Sequence, residues 1–469
     1  MFISLLFVIT LVSSCFTSLV FSDNSIFVSG ALKKVVNDEN ELVNAINNSA
    51  EHTVIALNRD IKLTSTLIIP TGKEITLTSN SKEKIFKLIG SNITGTYTDS
   101  RPEVIGTDGT STIIIGGGGI LTLNGIVVTH EAGATGVGVN VNAGKLTMID
   151  GEIIGNNAEG RGGGVFVDYL GSFELFGGII ANNTAQYGGG VYAAPDGTFN
   201  MFGGVIVNNT ATSCGGGVFS LKQKSLVLSD GLIASNTAGS GGGIYMDRSV
   251  ISMSGGVIAN NTARGGGGGV YVTTNGGSLY EGIFTITGGI IANNTAIGEY
   301  NGGGGVSTWD GTVNISGDAV IANNTATSGG GVYIGSDGMF SITGGKILGN
   351  TAMGTVAGNG GGGMYSRGKV TLSGDCVISN NVAARYGGGV YNNGQFSMSD
   401  NEHAISDNTA PKGKDIYNHG DSIDDSIHTL QSLPTPFLVL GILVLVIIFG
   451  SLFLYVKYKR QSPYPLPKL

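Results

Sequence analysis

Short apolar runs alternate with turn residues along most of the chain. Val54-Ile-Ala-Leu57, Leu67-Ile-Ile69, Ile75-Thr-Leu-Thr78, Thr112-Ile-Ile-Ile115 and Leu121-Thr-Leu123 have the length and residue types of strands. From about residue 151 to 417 the rhythm becomes a repeat with ten copies. A clear copy runs Gly171-Ser-Phe-Glu-Leu-Phe-Gly-Gly-Ile-Ile-Ala-Asn-Asn-Thr-Ala-Gln-Tyr-Gly-Gly-Gly-Val-Tyr192. Most copies lie 25–27 residues apart and three are stretched to 30–33. A fixed period of short strands between turn residues predicts a β-solenoid with one coil per repeat. The fold class read from the chain is all-β, a right-handed parallel β-helix.

The columns of this repeat carry the physical detail. One position is Ile in every copy: Ile154, Ile180, Ile206, Ile233, Ile258, Ile291, Ile321, Ile347, Ile378 and Ile405. A position that never varies within the chain is expected to face the core. The residue before it, Lys346 in one copy, should then face water, because strand side chains alternate. An Asn column follows, from Asn157 and Asn183 to Asn408. Asn tolerates left-handed turns, and stacked amides can bond along the axis. Gly runs supply the next corner. After them comes an aromatic column, Phe166, Tyr192, Phe219, Tyr245, Tyr271, Ser307, Tyr333, Tyr365, Tyr391 and Tyr417. Its hydroxyls require at least one wet side. Two uses are open for this column, aromatic stacking that stiffens the sheet and an exposed strip for sugar or protein ligands.

The ends of the chain read differently. Asp38 to Asn47 has the pattern of a short amphipathic helix, with Asp38 and Glu41 placed as a capping box. Such a helix would close the open end of the core. Phe2 to Ser13 is apolar and Val20-Phe21-Ser22 offers a cleavage site, so residues 1–22 are read as a signal peptide. Residues 23–150 are the cap and irregular first coils, 151–417 the repeats, and 418–436 a polar stalk. Phe437 to Val456 is uncharged and long enough for one C-terminal transmembrane helix. Lys457, Lys459 and Arg460 begin a tail, 457–469, that the positive-inside rule places in the cytosol. The expected location is the cell surface, with one membrane span and the ectodomain outside.

Composition fits this picture. Gly accounts for 81 of 469 residues without a collagen period, and apolar residues for 41%, too many for a disordered linker. The net charge of −8 and the absence of a basic stripe argue against nucleic acid as a partner. Cys214 and Cys376 lie several coils apart, too far for a bridge.

The repeat carries little chemistry. Its acids, among them Asp168, Asp196, Asp247, Asp310 and Asp337, are scattered rather than clustered as acid–base or Ca²⁺ work requires. Asp318 and Asp375 share a position, but two coils apart. The Gly runs match neither a Ca²⁺ nonapeptide nor a phosphate loop. No catalytic, cofactor or metal residues are assigned, and the chain is not read as an enzyme. Eight N-x-[ST] sequons are candidate glycosylation sites: Asn47, Asn92, Asn182, Asn208, Asn260, Asn293, Asn314 and Asn323. Insertions near residues 275–310 mark a contact patch containing Tyr280, Tyr300 and Trp309.

The paired motifs resemble a known family. Gly188-Gly-Gly-Val191 and Ile180-Ala-Asn-Asn183 are similar to the G-G-[AGV]-[IV] and apolar-x-x-N repeats of polymorphic membrane protein adhesins, and more broadly to pectin-lyase-like β-helices. Ile mostly replaces that family's Phe, and an apolar helix stands in place of its translocator barrel. The resemblance implies adhesion, with cell-surface glycans or proteins as partners and no catalytic residues. A structural coat protein is the alternative function, and a polysaccharide lyase or hydrolase a third.

Overall fold

A computed structural model describes residues 32–49, 52–91, 111–223, 225–276, 282–298, 302–399 and 404–419. They form a parallel β-solenoid, whose strands fall into sheets of 25, 13 and 8 strands. Along the 13-stranded face each strand pairs with its counterpart one coil on. Steps of ~4.8 Å make that face about 58 Å long.

One coil shows how the sequence makes the turn. Strand Ser172–Leu175 is followed by a bend at Gly177-Gly178, then by strand Ile179–Ala181. Asn182 turns the corner with a left-handed φ of +55°. Strand Thr184–Tyr187 leads to the triple glycine, and Val191–Ala193 completes the coil. Inside, Phe173, Leu175, Ile180, Val191 and Ala193 are fully buried in one core cluster. Ile179 and Tyr192 alternate with them and point outward, as strand geometry demands.

The Ile column is inward from Ile180 to Ile405, paired coil to coil. Burying each such side chain contributes roughly 1.5–3 kcal/mol. The preceding column, from Ile179 through Lys346 to Ala404, is half-buried and outward. The first copy is shifted by one residue from the expectation. Ile153, not Ile154, pairs with Ile180, and Glu152 takes the outward position. The left-handed corner there is Gly155, at φ +67°.

The Asn column forms a continuous ladder. Each backbone N–H and each Nδ2–H donates to the Oδ1 of the Asn one coil on, as from Asn183 to Asn209 at 3.0 Å each. From Asn183 on, the second Nδ2 hydrogen goes back to an Ile carbonyl, Ile153 O for Asn183 at 2.9 Å. The ladder begins at Asn156 rather than Asn157, and it ends at Asn408. The left-handed residue is the one before the ladder Asn, so the two properties expected of a single Asn belong to neighbours.

Both ends of the ladder are capped. At its start His130 Nδ1 lies 2.9 Å from Asn156 Oδ1. Because that oxygen accepts, the imidazole carries its proton on Nδ1. At its end the Asp415 carboxylate accepts from Asn408 Nδ2 at 2.9 Å and from Asn408 N at 3.3 Å. Asp415 occupies the third position of the last Gly run, and its side chain stands in for the Asn of a following coil.

Of the last three glycines in each run only the first has positive φ, +64° at Gly188. The last is glycine because the next coil leaves no room for a Cβ. At the other end of the solenoid, helix Glu39–Asn47 is capped by Asp38, which accepts from Glu41 N at 2.8 Å. Glu41 Oε2 reaches one residue beyond the expected box, accepting from Asn37 N at 2.7 Å. Leu42, Ala45 and Ile46 are buried in the main core cluster. Cys214 and Cys376 are both free thiols. No helix among the described residues is long and apolar enough to cross a membrane. The expected span 437–456, the leader 1–22, most of the stalk and the tail lie outside the described residues.

Candidate functional site

The aromatic column is in register from Phe166 to Tyr417. Its rings lie face to face along the axis. Tyr192–Phe219, Phe219–Tyr245 and Tyr245–Tyr271 have centroids 5.0, 5.1 and 5.2 Å apart and planes within 12°. Tyr333–Tyr365 and Tyr365–Tyr391 continue the stack at 5.2 and 4.7 Å. Ser307 interrupts it. From Tyr192 to Tyr271 and from Tyr333 to Tyr391 the facing ring faces are therefore occupied by their neighbours, whereas Phe166 meets Tyr192 edge-on at 5.5 Å and 62°. The stiffening use of the column is met by this geometry. A strip of ring faces for sugars is not.

Most rings are buried as well, Tyr365 and Tyr391 to 1% exposure. Tyr245 and Tyr271 are the partly exposed pair within the first run. The cause is the residue just before the left-handed glycine of each run, which forms a rim beside the column. That rim descends from Arg161, Tyr187 and Cys214 to Ser240 and Gly266, paired coil to coil at its upper end. With small side chains there, the edges of Tyr245 and Tyr271 are uncovered.

The result is a groove of about 400 Å³. Its floor is Tyr192, Phe219 and Tyr245, and its walls include Arg161, Tyr187 and Cys214 on one side and Leu221, Asp247, Arg248 and Asn275 on the other. The Arg161 guanidinium lies 5.4 Å over the Tyr192 ring, within cation–π range. Asp247 is buried and takes a bidentate pair from Arg248, at 2.8 Å from Nε and 3.0 Å from Nη2. Asp310 Oδ1 and Oδ2 accept from Thr273 Oγ1, Thr274 N, Thr274 Oγ1 and Gly276 N at 2.7–3.0 Å, tying down the turn that carries Asn275.

Protonation follows from these surroundings. Burial pushes the Tyr192 and Tyr271 phenols up to about 12, and Tyr245 higher. The Tyr192 and Tyr245 hydroxyls of the groove are therefore donors at neutral pH. Burial also raises the Cys214 thiol, partly offset by hydrogen bonds from Ser213 and Ser240. Burial raises Asp310 too, but the hydrogen bonds from Thr274, Gly276 and Thr273 outweigh it and hold the carboxyl below its usual range.

Of the expected contact patch, Trp309 is 43% exposed and adjoins Asp310, while Tyr280 and Tyr300 lie outside the described residues. The sequon asparagines Asn182, Asn208, Asn260, Asn293 and Asn323 occupy the left-handed corner at φ +55° to +56°. All but the half-buried Asn293 are exposed there, so that corner line faces out. Asn47 is exposed at the helix end, Asn314 is half-buried on a strand, and Asn92 lies outside the described residues. No group of three His, Cys, Asp or Glu among the described residues could hold a metal ion. Sequence reading missed Arg161, Cys214, Asp247 and Arg248. The rim column was visible in the repeat alignment, but its changing residue types concealed it.

In comparison with known proteins, no family model, no curated protein and no solved structure matches this chain.

Proposed function

We propose that this chain is a cell-surface, adhesin-like protein that presents a right-handed parallel β-helix as a stiff rod. In this reading residues 1–22 direct export and 437–456 anchor the rod as a single-span protein. The helix at 39–47 closes the membrane-distal end of the core. The repeat resemblance to polymorphic membrane protein adhesins supports it. The single observation that carries it is the groove over Tyr192, Phe219 and Tyr245. There a rigid stack opens laterally onto charged and hydroxyl groups. A contact site on a scaffold with no group of three acids, His or Cys among the described residues suits binding better than turnover.

The test compares cells that display the full chain with cells that lack it. Saturable binding to a second cell type, abolished by protease treatment of intact cells, is the expected result. No difference in binding, together with loss of envelope integrity on deletion, would replace this reading with a structural coat protein.

A further inference from the structure

We propose that the groove over Tyr192, Phe219 and Tyr245 binds a linear oligosaccharide bearing carboxylates, with the Arg161 guanidinium receiving a carboxylate. This rests on the adhesin-like reading and names its ligand.

Three features select that chemistry. First, Arg161 sits over the Tyr192 ring, and no hydrogen bond or ion pair engages its guanidinium among the described residues. Held by a ring rather than by an acid, its planar fork is free to take a carboxylate bidentately. The other guanidinium of the groove, Arg248, is already committed to Asp247. Second, Tyr245 in the groove and Tyr271 one coil beyond it carry protonated hydroxyls about 5 Å apart along the axis. With the Asp247 carboxylate already held by Arg248, the groove offers donors to the hydroxyl and carboxylate oxygens of such a chain. Ring faces are closed by stacking, so recognition is through hydroxyls and edges.

Third, the direction of the groove excludes a peptide strand added in the plane of the sheet. It crosses the coils from Arg161 to Asn275, four steps or roughly 19 Å. The strands beneath it are already paired on both sides, as Phe219 is with Tyr192 and Tyr245, so no free ladder edge meets a peptide backbone.

The experiment is calorimetric titration of the full-length chain with three probes. They are a glucuronate-containing hexasaccharide, the same hexasaccharide with its carboxylates reduced to alcohols, and a hexaglutamate peptide. Only the first is expected to bind. Arg161→Gln should weaken it about tenfold or more, the loss of one charge-assisted bidentate contact. Arg385→Gln, which removes a guanidinium 5.0 Å over the Tyr386 ring outside this groove, should leave it unchanged. A readout that needs no variant is alkylation of Cys214, which the bound hexasaccharide should slow. Equal binding of the reduced sugar or the peptide, an unaffected Arg161→Gln, unprotected Cys214, or no binding of any probe would each overturn the proposal. Saturable cell binding that the hexasaccharide does not compete would leave the adhesin-like reading standing while removing this ligand.

Discussion

Gly190 and Asn209 compete for one space. A Cβ on Gly190 would lie 3.1 Å from Asn209 Nδ2 and 2.6 Å from Gly217 O. The glycine that ends each run is thus the counterpart of the ladder asparagine in the next coil. Gly190→Ala must push the next coil away at this corner. A loss of roughly 1–3 kcal/mol is expected, as for overpacking elsewhere. Equilibrium denaturation should show a lower midpoint with an unchanged slope.

The ladder itself gives a second prediction. Asn261→Ala would leave Asn236 N and Nδ2 without their acceptor and Ile233 O without its donor. Each buried group left unmade costs roughly 1–3 kcal/mol. The expected loss therefore exceeds that of a typical surface change several-fold. Hydrogen exchange should locate it at Asn236 first, since that amide donates directly to the deleted side chain.

Asp415 ends the ladder without a following coil. Asp415→Ala removes the acceptor of Asn408 N and Nδ2, and should fray the last coil while sparing the core near Ile180. Exchange of the Asn408 amide should rise while that of the Asn209 amide stays constant. A change spread evenly along the solenoid would contradict a local terminator.

Acid should loosen one wall of the groove. The Asp310 carboxyl is held below its usual range by the turn at Thr273–Gly276. A depressed folded value means that its contribution is fully present above the unfolded pKa of ~3.9. It is lost as pH falls through the folded value. Protection of the Thr274 and Gly276 amides, corrected for intrinsic exchange, should therefore drop only at strongly acid pH. In Asp310→Asn the drop should be absent.

The two described thiols should behave differently. Cys376 is fully buried in the core, while Cys214 is half-buried in the groove with its pKa raised by burial, so that less of it is thiolate. Native protein should alkylate at Cys214, slowly at neutral pH, and at Cys376 only after denaturation. Modification of Cys376 in the native state, measured by mass spectrometry, would contradict the core position.

The sequence by itself determined the solenoid, its period, the inward Ile column and the Asn and aromatic columns. Stacked coils place like residues on like residues, so a repeat written along the chain is already a set of spatial columns. It determined the helix at 39–47 for the same reason that its cap residues are local. The register of the first copy was not legible, because Ile153-Ile-Gly-Asn-Asn157 imitates Ile179-Ile-Ala-Asn-Asn183 as a string. Pairing chose the other alignment, since Gly155 serves the left-handed corner and Ile153 then reaches the core. Only the tertiary structure decided that His130 and Asp415 close the ladder, because neither belongs to the repeat's Asn column. Tertiary structure alone also decided that the rings stack face to face and that residues from five coils form a groove. Those relations depend on distance across the stack, which a one-dimensional period does not encode.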